Sequence, residues 1–410
     1  MSTSAPRVSL ADIREARRLL EGVSITTPME ESRWLSAVVD GPVSLKCENL
    51  QRTGSFKIRG AYVRMLRLTE EERARGVVAA SAGNHAQGVA LAAQLLGIKA
   101  TVFMPEGAPI PKLNATKGYG ADVVFHGAYL DHSLEEAIRF SEETGAVLIH
   151  PYDHEDIVAG QGTCGLEIME QSPDVETVLI PLGGGGLVAG AATAIKELCR
   201  EQGRPEVRVI GVQAEGAAAY PTSLATGHPV ALTGMNTMAD GIAVPRPGDV
   251  PFAAIVEYVD EVITVSEESL SSAMVLLLER AKMVVEPAGA AAVAAVMDRP
   301  RELGTPIVAV LSGGNIDPLL MGKLIRHGMA AAGRYLQLRV RVPDVPGGLA
   351  KLLGELAALG ANVLEVSHER LSVELHVDEV AVRLQLETRG LSHAEAVVTR
   401  LRECGYSVVD

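Results

Sequence analysis

Short apolar runs alternate with small-residue turns and with helical stretches rich in Ala and Leu from about residue 44 to residue 328. Apolar runs of this length, bounded by turns, are typical of buried parallel strands, and their alternation with helices is typical of α/β domains. The predicted strands are 44–47, 76–80, 100–104, 121–125, 177–181, 207–213 and 307–311. Because ligands of open parallel sheets bind beyond the carboxyl ends of the strands, we look for chemistry in the loops that follow them.

The pattern changes at residues 329–334, which indicate a helix end or a linker, and strict alternation of apolar and polar positions follows. The predicted order is strand 335–342, helix 347–359, strand 362–369, strand 380–387, helix 393–404 and strand 406–409. This order is the βαββαβ of a ferredoxin-like module. We therefore predict a catalytic or binding domain over 1–328, a linker over 329–334 and a small second domain over 335–410.

Composition narrows the class of protein. With 47% hydrophobic and 21% charged residues in 410, the chain can bury large cores, which excludes a disordered chain. A net charge of -14 disfavours nucleic acid as a partner. The sequence has no apolar run long enough to span a membrane and no apolar leader at its start, so we expect a cytoplasmic protein. The cysteines match no metal or redox spacing, and we predict neither a metal site nor disulfides; they are Cys47, Cys164, Cys199 and Cys404.

Lys57 is the first candidate for chemistry, in the segment SFKIRG at 55–60. A desolvated lysine loses its proton more easily and can form a Schiff base. A solvated surface lysine is the alternative, and taken alone the residue favours that interpretation.

A second candidate is the loop SAGNHAQG at 81–88, directly after a predicted strand and at the start of a helix. The free amides of a helix N-terminus favour a carboxylate. Ordinary helix capping by Ser81 and Asn84, with His85 as a satisfied turn residue, is the alternative.

Two further strand-end loops contain glycines. The run GGGGLVAG at 183–190 suggests a backbone that approaches a phosphate closely, although a tight packing turn is the alternative. It lacks the last glycine of a dinucleotide fingerprint, so a single phosphate fits better than a pyrophosphate. SGGN at 312–315 is an ordinary turn by itself. Together, these loops and the lysine could converge on a flat cofactor that carries one phosphate.

Five segments in this order resemble the threonine and serine dehydratases among the fold type II pyridoxal-phosphate enzymes. They are SFKIRGA, SAGNHAQGVA, IHPYDHEDIVAGQGT, the tetraglycine loop and SGGN, and the resemblance covers about residues 10–328. It implies two open, twisted parallel-sheet subdomains, the smaller inserted at about 48–150. It also implies elimination and deamination of threonine to 2-oxobutanoate and ammonia, or of serine to pyruvate, with pyridoxal 5'-phosphate as cofactor.

The resemblance implies a role for each motif. Lys57 would hold the cofactor and take the α-proton of the substrate. The cofactor would be bound by Phe56, Asn84, Gly183, Gly184, Gly185, Gly186, Leu187 and Ser312. The substrate carboxylate would lie on the loop of Ser81, Ala82, Asn84 and His85.

Two residue types bear on the reaction. The hydroxyl of Ser312, facing the ring nitrogen, is neutral and makes the ring a weaker electron sink than a carboxylate would, which suits elimination. The related serine racemases have a serine at the position of Ala82, and alanine cannot move a proton, so dehydration is favoured over racemisation.

The cation ligands of these racemases correspond to Gln213, Ala217 and Ala219 here, which argues against a metal, although Glu215 lies nearby. Glu286 could lie near the ring or serve as a helix cap.

The C-terminal part resembles an ACT domain, a module that senses amino acids. The resemblance rests on DVPGGL at 344–349 followed by LLGELAALGANV. It implies an effector, with isoleucine or valine as leading candidates, and pairing of modules in a homodimer or homotetramer. The expected effector residues are Asp344, Pro346, Gly347, Leu349 and Asn362. A purely structural module is the alternative.

Other functions stay open at this point. A dehydratase-like protein that only senses amino acids is one, and β-replacement or threonine synthesis on the same cofactor is another. The preference between threonine and serine, and between isoleucine synthesis and threonine breakdown, is also open.

Overall fold

The computed structural model describes residues 8–370, 376 and 378–409. The chain divides into two compact units, Met1–Asp317 and Pro318–Asp410. Residues 1–7 lie outside the described residues. They are part of the N-terminal segment for which the sequence predicts no apolar leader. Within the described ranges, no helix is long and apolar enough to cross a membrane.

The first unit alternates strands and helices, as the pattern predicts. Its strands are β1 Met29–Glu31, β2 Val43–Lys46, β3 Val77–Ala80, β4 Ala100–Met104, β5 Asp122–Phe125, β6 Val147–Leu148, β7 Thr177–Pro181, β8 Arg208–Ala214, β9 Glu261–Val265 and β10 Ile307–Val310. Its helices are α1 Leu10–Leu19, α2 Arg33–Val39, α3 Lys57–Leu66, α4 Glu70–Arg75, α5 Asn84–Leu96, α6 Ile110–Gly118, α7 Leu130–Thr144, α8 Glu155–Gln171, α9 Gly186–Gln202, α10 Ala219–Thr226, α11 Asp249–Tyr258, α12 Glu267–Leu276 and α13 Pro287–Asp298. Short 3₁₀ segments lie at Glu48–Leu50, Arg52–Gly54, Glu215–Ala217 and Asp240–Ile242, and a π-helical segment lies at Leu277–Ala281.

The larger sheet has the order β1-β2-β10-β7-β8-β9. All neighbouring pairs are parallel except β1 and β2. Its central strands are fully buried because helices cover both faces, which explains their continuous apolar sequence. Since β2, β10 and β7 are adjacent and parallel, the loops after these three strands meet at one edge of the sheet.

The smaller sheet has the order β5-β4-β3-β6 and is parallel throughout. It lies within residues 77–148, inside the range predicted for the inserted subdomain. Helix α3 packs against both α5 of this subdomain and α8 of the larger one. The helix that begins at Lys57 is therefore shared between the two subdomains.

Two features of the first unit differ from the sequence-based prediction. The strand predicted over 121–125 is not buried, because β5 is the edge of the smaller sheet and its residues are largely exposed. Three short or edge strands were not predicted, namely β1, β6 and β9. Edge strands have only one strand neighbour, so their sequences do not need the apolar run by which we identified the others.

The second unit contains α14 Pro318–Ala331, β11 Tyr335–Pro343, α15 Gly348–Ala358, β12 Asn362–Glu369, β13 Glu379–Glu387, α16 Leu391–Glu403 and β14 Ser407–Val409. Its antiparallel sheet has the order β12-β13-β11-β14, which is that of a ferredoxin-like fold and is compatible with an ACT domain. The division at Asp317 differs from the predicted boundary at 328, because α14 packs against β11 and groups with the second unit.

Candidate active site

Lys57 begins helix α3, in the segment that follows β2. Its Nζ donates a hydrogen bond to the carbonyl of Pro151 at 2.9 Å and lies 5.1 Å from the centre of the Phe56 ring. Desolvation of the ammonium lowers the pKa of Lys57 to about 8, although the charge of Glu286 opposes this shift. Lys57 is thus far more often neutral near pH 7.5 than a surface lysine.

The loop predicted to bind a carboxylate lies between β3 and α5. The hydroxyl of Ser81 accepts a hydrogen bond from the Gly83 amide at 3.1 Å, which closes the turn, and α5 begins at Asn84. The first amides of α5 have no partner within the helix, as an anion site requires. Ala82 contributes no side-chain acid or base to this loop.

The side chain of His85 is engaged within the fold, as in the alternative of a satisfied turn residue. Its ring is buried and its Nε2 donates to the carbonyl of Ile149 at 2.7 Å, since a carbonyl can only accept. Burial, with the positive charge of Lys57 second, lowers the pKa of His85 to about 3. A neutral histidine whose Nε2 is occupied holds α5 against the strand-end loop, and only its backbone remains for a substrate.

Asn84 joins two residues that are distant in sequence. Its Nδ2 donates to Glu286 Oε1 at 2.5 Å, and its Oδ1 accepts from Asn315 Nδ2 at 2.8 Å. The amide of Asn315 also donates to the Thr53 carbonyl at 2.5 Å. Asn315 therefore fixes which end of the Asn84 amide faces Glu286.

Glu286 is buried before the first residue of α13, and its Oε2 has no partner among the described residues. Burial, with the charge of Asp240 second, raises the pKa of Glu286 to about 7. A buried carboxyl oxygen without a partner favours a ligand that supplies a donor. The sequence suggested Glu286 only as one of two possibilities and gave Asn315 no role; its place in SGGN was the available signal.

The tetraglycine loop connects β7 to α9 and is crowded by neighbouring side chains. A Cβ added at Gly184 would lie 2.3 Å from the ring of Tyr152, and one at Gly185 would lie 2.1 Å from the Tyr220 hydroxyl. Gly185 also has a φ of 106°, which favours glycine. The Tyr220 hydroxyl donates to the Gly184 carbonyl at 3.1 Å, so that carbonyl is already occupied.

The first amides of α9 have no intrahelical partner, and amides in this position can bind an anion such as a phosphate. A Cβ added at Gly183 or Gly186 would lie 3.0 or 3.2 Å from its nearest neighbour, and Leu187 is buried in the first turn. The much closer contacts at Gly184 and Gly185 explain why glycine is required at those two positions and not merely tolerated.

Ser312 follows β10 and is buried. Its carbonyl accepts a hydrogen bond from the Phe56 amide at 3.3 Å, and a β-bridge joins Ser55 to Gly313. The loop of Ser312 is thus bonded directly to the segment that contains Lys57. Its hydroxyl adds a polar group without charge to the site.

The contacts described above join the segments of Lys57, Asn84 and Ser312, and residues 151 and 152 contact both Lys57 and the glycine loop. A lysine of lowered pKa, free amides at a glycine loop, a neutral hydroxyl and a carboxyl oxygen without a partner among the described residues fit a flat cofactor with one phosphate. The residues that would hold it are Lys57, Phe56, Asn84, Ser312 and the glycine loop with Leu187.

The expected effector turn lies in the second unit. Gly347 has a φ of 90° and directly precedes α15, and the carboxylate of Asp344 is paired with Arg370. Pro346 lies in this exposed turn, and Leu349 packs in the first turn of the helix against the core of the unit.

Asn362 lies at the other end of the same sheet. Pro343, just before the turn, pairs with Glu379, whereas Asn362 pairs with Glu387. Eight residue steps along β13 correspond to about 27 Å. One small ligand therefore cannot contact both Asp344 and Asn362 within a single module.

Comparisons with known proteins identify the family of this chain. A family model described as pyridoxal-phosphate dependent enzyme matches residues 21–313. L-threonine ammonia-lyase of Thermotoga maritima is 48% identical over 401 residues, which are 98% of this chain and 99% of that protein. The structure of the processed form of threonine deaminase isoform 2 from Solanum lycopersicum has 37% identity and a TM-score of 0.73, over 79% of this chain and 91% of that one. Maize serine racemase has 34% identity and a TM-score of 0.73, over 80% and 99%. The chain belongs to the pyridoxal-phosphate-dependent enzymes, and its cofactor is pyridoxal phosphate.

Proposed function

We propose that this enzyme converts L-threonine to 2-oxobutanoate and ammonia, and L-serine to pyruvate and ammonia. The observation that carries the proposal is the convergence of Lys57 with the glycine cradle and the carboxylate loop. The 48% identity to a protein named L-threonine ammonia-lyase, over nearly the whole of both chains, supports the choice of substrate.

Lys57 moves the proton at the substrate α-carbon. With a pKa of about 8, about a quarter of the amine is neutral at pH 7.5, compared with about one in a thousand for an ordinary lysine. The cofactor, when bound, withdraws electrons from the α-carbon. A neutral amine close to that carbon is a base matched to the working pH.

The other groups of the site orient the substrate and the cofactor and favour elimination. The amides of loop 81–85 receive the substrate carboxylate, and the cradle of residues 183–187 receives the cofactor phosphate. Asn84 is fixed by Asn315 and offers its remaining hydrogen-bonding capacity to the cofactor ring. Ser312 keeps the ring side neutral, which favours early loss of the β-hydroxyl over a long-lived carbanion.

The reaction balances without a further reactant. Lys57 removes the α-hydrogen as a proton, and the bond between Cβ and the hydroxyl oxygen breaks with the electron pair leaving on oxygen. One proton joins that oxygen, which balances the proton taken from the α-carbon, and one water is released. Hydrolysis then returns one water and releases ammonia. One threonine gives one 2-oxobutanoate and one ammonia.

Incubating the enzyme with L-threonine alone and measuring both products tests the proposal. Equal release of 2-oxobutanoate and ammonia is expected, and Lys57→Ala should abolish it, since the residue is both tether and base. Lys99→Ala is the control, because the Lys99 side chain is 76% exposed. Turnover of Lys57→Ala within tenfold of the parent, or products that appear only when a second substrate is added, would contradict the proposal.

Racemisation is the second candidate, because maize serine racemase is among the structural neighbours. It requires an acid or base on the face opposite Lys57, and Ala82 cannot supply one. We expect no rapid formation of D-serine by the parent and a measurable gain in Ala82→Ser. Rapid racemisation by the parent, measured by chiral chromatography, would refute the argument that Ala82 prevents racemisation.

We further propose that an amino acid, isoleucine or valine, binds the second unit and changes catalysis. The free amides at the start of α15 and the left-handed Gly347 support a carboxylate site at this turn. Asp344 and Asn362 lie at opposite ends of the sheet, about 27 Å apart when measured along β13. A ligand that contacts an Asp344 and an Asn362 must therefore take them from two different modules. This supports a homodimer or homotetramer in which modules pair.

Calorimetry with the full chain tests the effector proposal. Isoleucine or valine should bind and shift the threonine saturation curve, by about 5- to 150-fold in affinity for typical coupling. Asp344→Ala should weaken this response and leave turnover without effector unchanged. If no proteinogenic amino acid binds the parent or shifts its curve, the module is structural.

A further inference from the structure

Lys112 lies in α6 of the smaller subdomain, and its side chain is only 8% exposed. Its Nζ donates to Asp240 Oδ2 at 2.6 Å. Asp240 begins a 3₁₀ segment that packs against α13 of the larger subdomain. The ion pair therefore crosses the cleft between the two subdomains.

The buried lysines of the described residues differ in how many acceptors they have. Lys46 has three, namely the Thr27 carbonyl, Glu167 and Gln171, which use all three of its N–H groups. Lys196 has two, Glu206 and Asp260. These two lysines serve the fold, because their charges are matched by fixed acceptors.

Lys112 has one acceptor among the described residues, and that acceptor is a carboxylate whose side chain is 59% exposed. Burying an ammonium with two N–H groups unused is costly unless a further acceptor arrives. Lys57, the reactive lysine, has the same single-acceptor arrangement.

The ammonium of Lys112 faces the loop that receives the substrate. A Cβ added at Gly83 would lie 3.9 Å from Lys112 Nζ, so the ammonium lies beside the first turn of α5. Two acidic groups also lie here, since both Asp240 and Lys112 act on the charge of Glu286. A substrate carboxylate would meet repulsion from Asp240 and Glu286 unless Lys112 offset it.

We propose that Lys112 binds the substrate carboxylate, with Asp240 as the counter-ion that holds the ammonium in place before substrate arrives. This inference rests on the proposed threonine ammonia-lyase function. The two unused N–H groups of Lys112 supplement the amides of loop 81–85 and make the site selective for a negatively charged α-carboxylate.

Steady-state kinetics of Lys112→Met test the inference. The variant keeps the length of the side chain and removes its charge. We expect KM for L-threonine to rise about tenfold or more, as for loss of a charged hydrogen bond, with less change in kcat. Lys112→Arg keeps the positive charge and should restore KM to within a few-fold of the parent.

Two binding measurements on the holoenzyme make the test independent of turnover. Calorimetry with 3-hydroxybutanoate, which has no amino group, should show the same loss of affinity in Lys112→Met. The methyl ester of L-threonine has no carboxylate charge, and its affinity should be unchanged by the variant.

Asp240→Asn separates carboxylate binding from a purely structural strap across the cleft. If Lys112 binds the carboxylate, Asp240→Asn leaves KM unchanged or lowers it, because the Asn side-chain oxygen still accepts from Lys112 Nζ while the negative charge that repels the substrate is gone. If the pair only holds the subdomains together, Asp240→Asn raises KM as much as Lys112→Met, and the inference is overturned. A parent that does not deaminate threonine would refute the proposed function, while binding of 3-hydroxybutanoate would still test Lys112.

Discussion

Arg59 lies two residues after Lys57, and its guanidinium is 1% exposed. Its Nε and Nη2 donate to the two oxygens of Glu48, each at 2.8 Å, and its Nη1 donates to Glu167 at 2.7 Å. Lys46 is the second cation of this buried cluster. Replacing Arg59 by Met leaves two buried carboxylates with one cation.

Removing one partner of a buried ion pair typically costs about 3–5 kcal/mol. This is a large part of the roughly 5–15 kcal/mol by which a folded domain is stable. For a urea dependence of about 3 kcal/mol per molar, the unfolding midpoint should fall by roughly 1–1.7 M.

Arg14→Met is the matched control. Arg14 makes the same bidentate contact with Glu201, at 2.8 and 2.7 Å, but their side chains are 47% and 51% exposed. An exposed pair contributes about 0–1 kcal/mol, so the midpoint should barely move. The two variants differ chiefly in burial of the pair that is broken.

Trp34 is the only tryptophan of the chain and lies in the first unit, so its fluorescence follows unfolding of that unit alone. Burial raises the pKa of Glu48, but the charge and hydrogen bonds of Arg59 together outweigh it, so that the pKa is lowered. The stability from Glu48 is therefore present above its unfolded pKa and lost as the pH falls, and the parent and Arg59→Met should converge in acid. An Arg59→Met midpoint no lower than that of Arg14→Met would refute the reasoning.

Three further predictions concern the cofactor. Gly185→Ala should lose cofactor affinity, measured by absorbance titration, because its Cβ has no room; Gly203→Ala, also at positive φ but with open space around it, should cost only about 1–2 kcal/mol of stability. Attachment of cofactor to Lys57 in the apoenzyme should be half-maximal near pH 8 and faster above it, because the neutral amine reacts. Glu286→Gln removes a negative charge that raises the pKa of Lys57, so the pH of half-maximal cofactor attachment should fall. A rise in that pH would contradict the effect of Glu286 on Lys57. Ser312→Ala should weaken cofactor binding and Ser312→Asp should slow elimination; unchanged spectra and rates in both would remove Ser312 from the site.

The sequence alone determined the strands with continuous apolar runs and the loops after them. Val, Ile and Leu in β7 and β10 report burial on both faces, and the tetraglycine loop and Ser312 come just after these strands. Because β2, β10 and β7 present their carboxyl ends at one edge of the larger sheet, the proximity of their loops was predictable, whereas the loop after β3 belongs to the smaller sheet. The alternating pattern of the second unit likewise predicted its ferredoxin-like order.

The tertiary structure decided which residues meet across long separations. Asn84 contacts Glu286 and Asn315, which lie 202 and 231 positions away, and Lys112 meets Asp240 across the cleft. Apolar periodicity reports whether a position is buried, but it does not report which polar groups share that burial. The pKa values of Lys57 and Glu286 and the fixed role of His85 depend on desolvation by neighbours distant in sequence, and only the closed fold sets that desolvation.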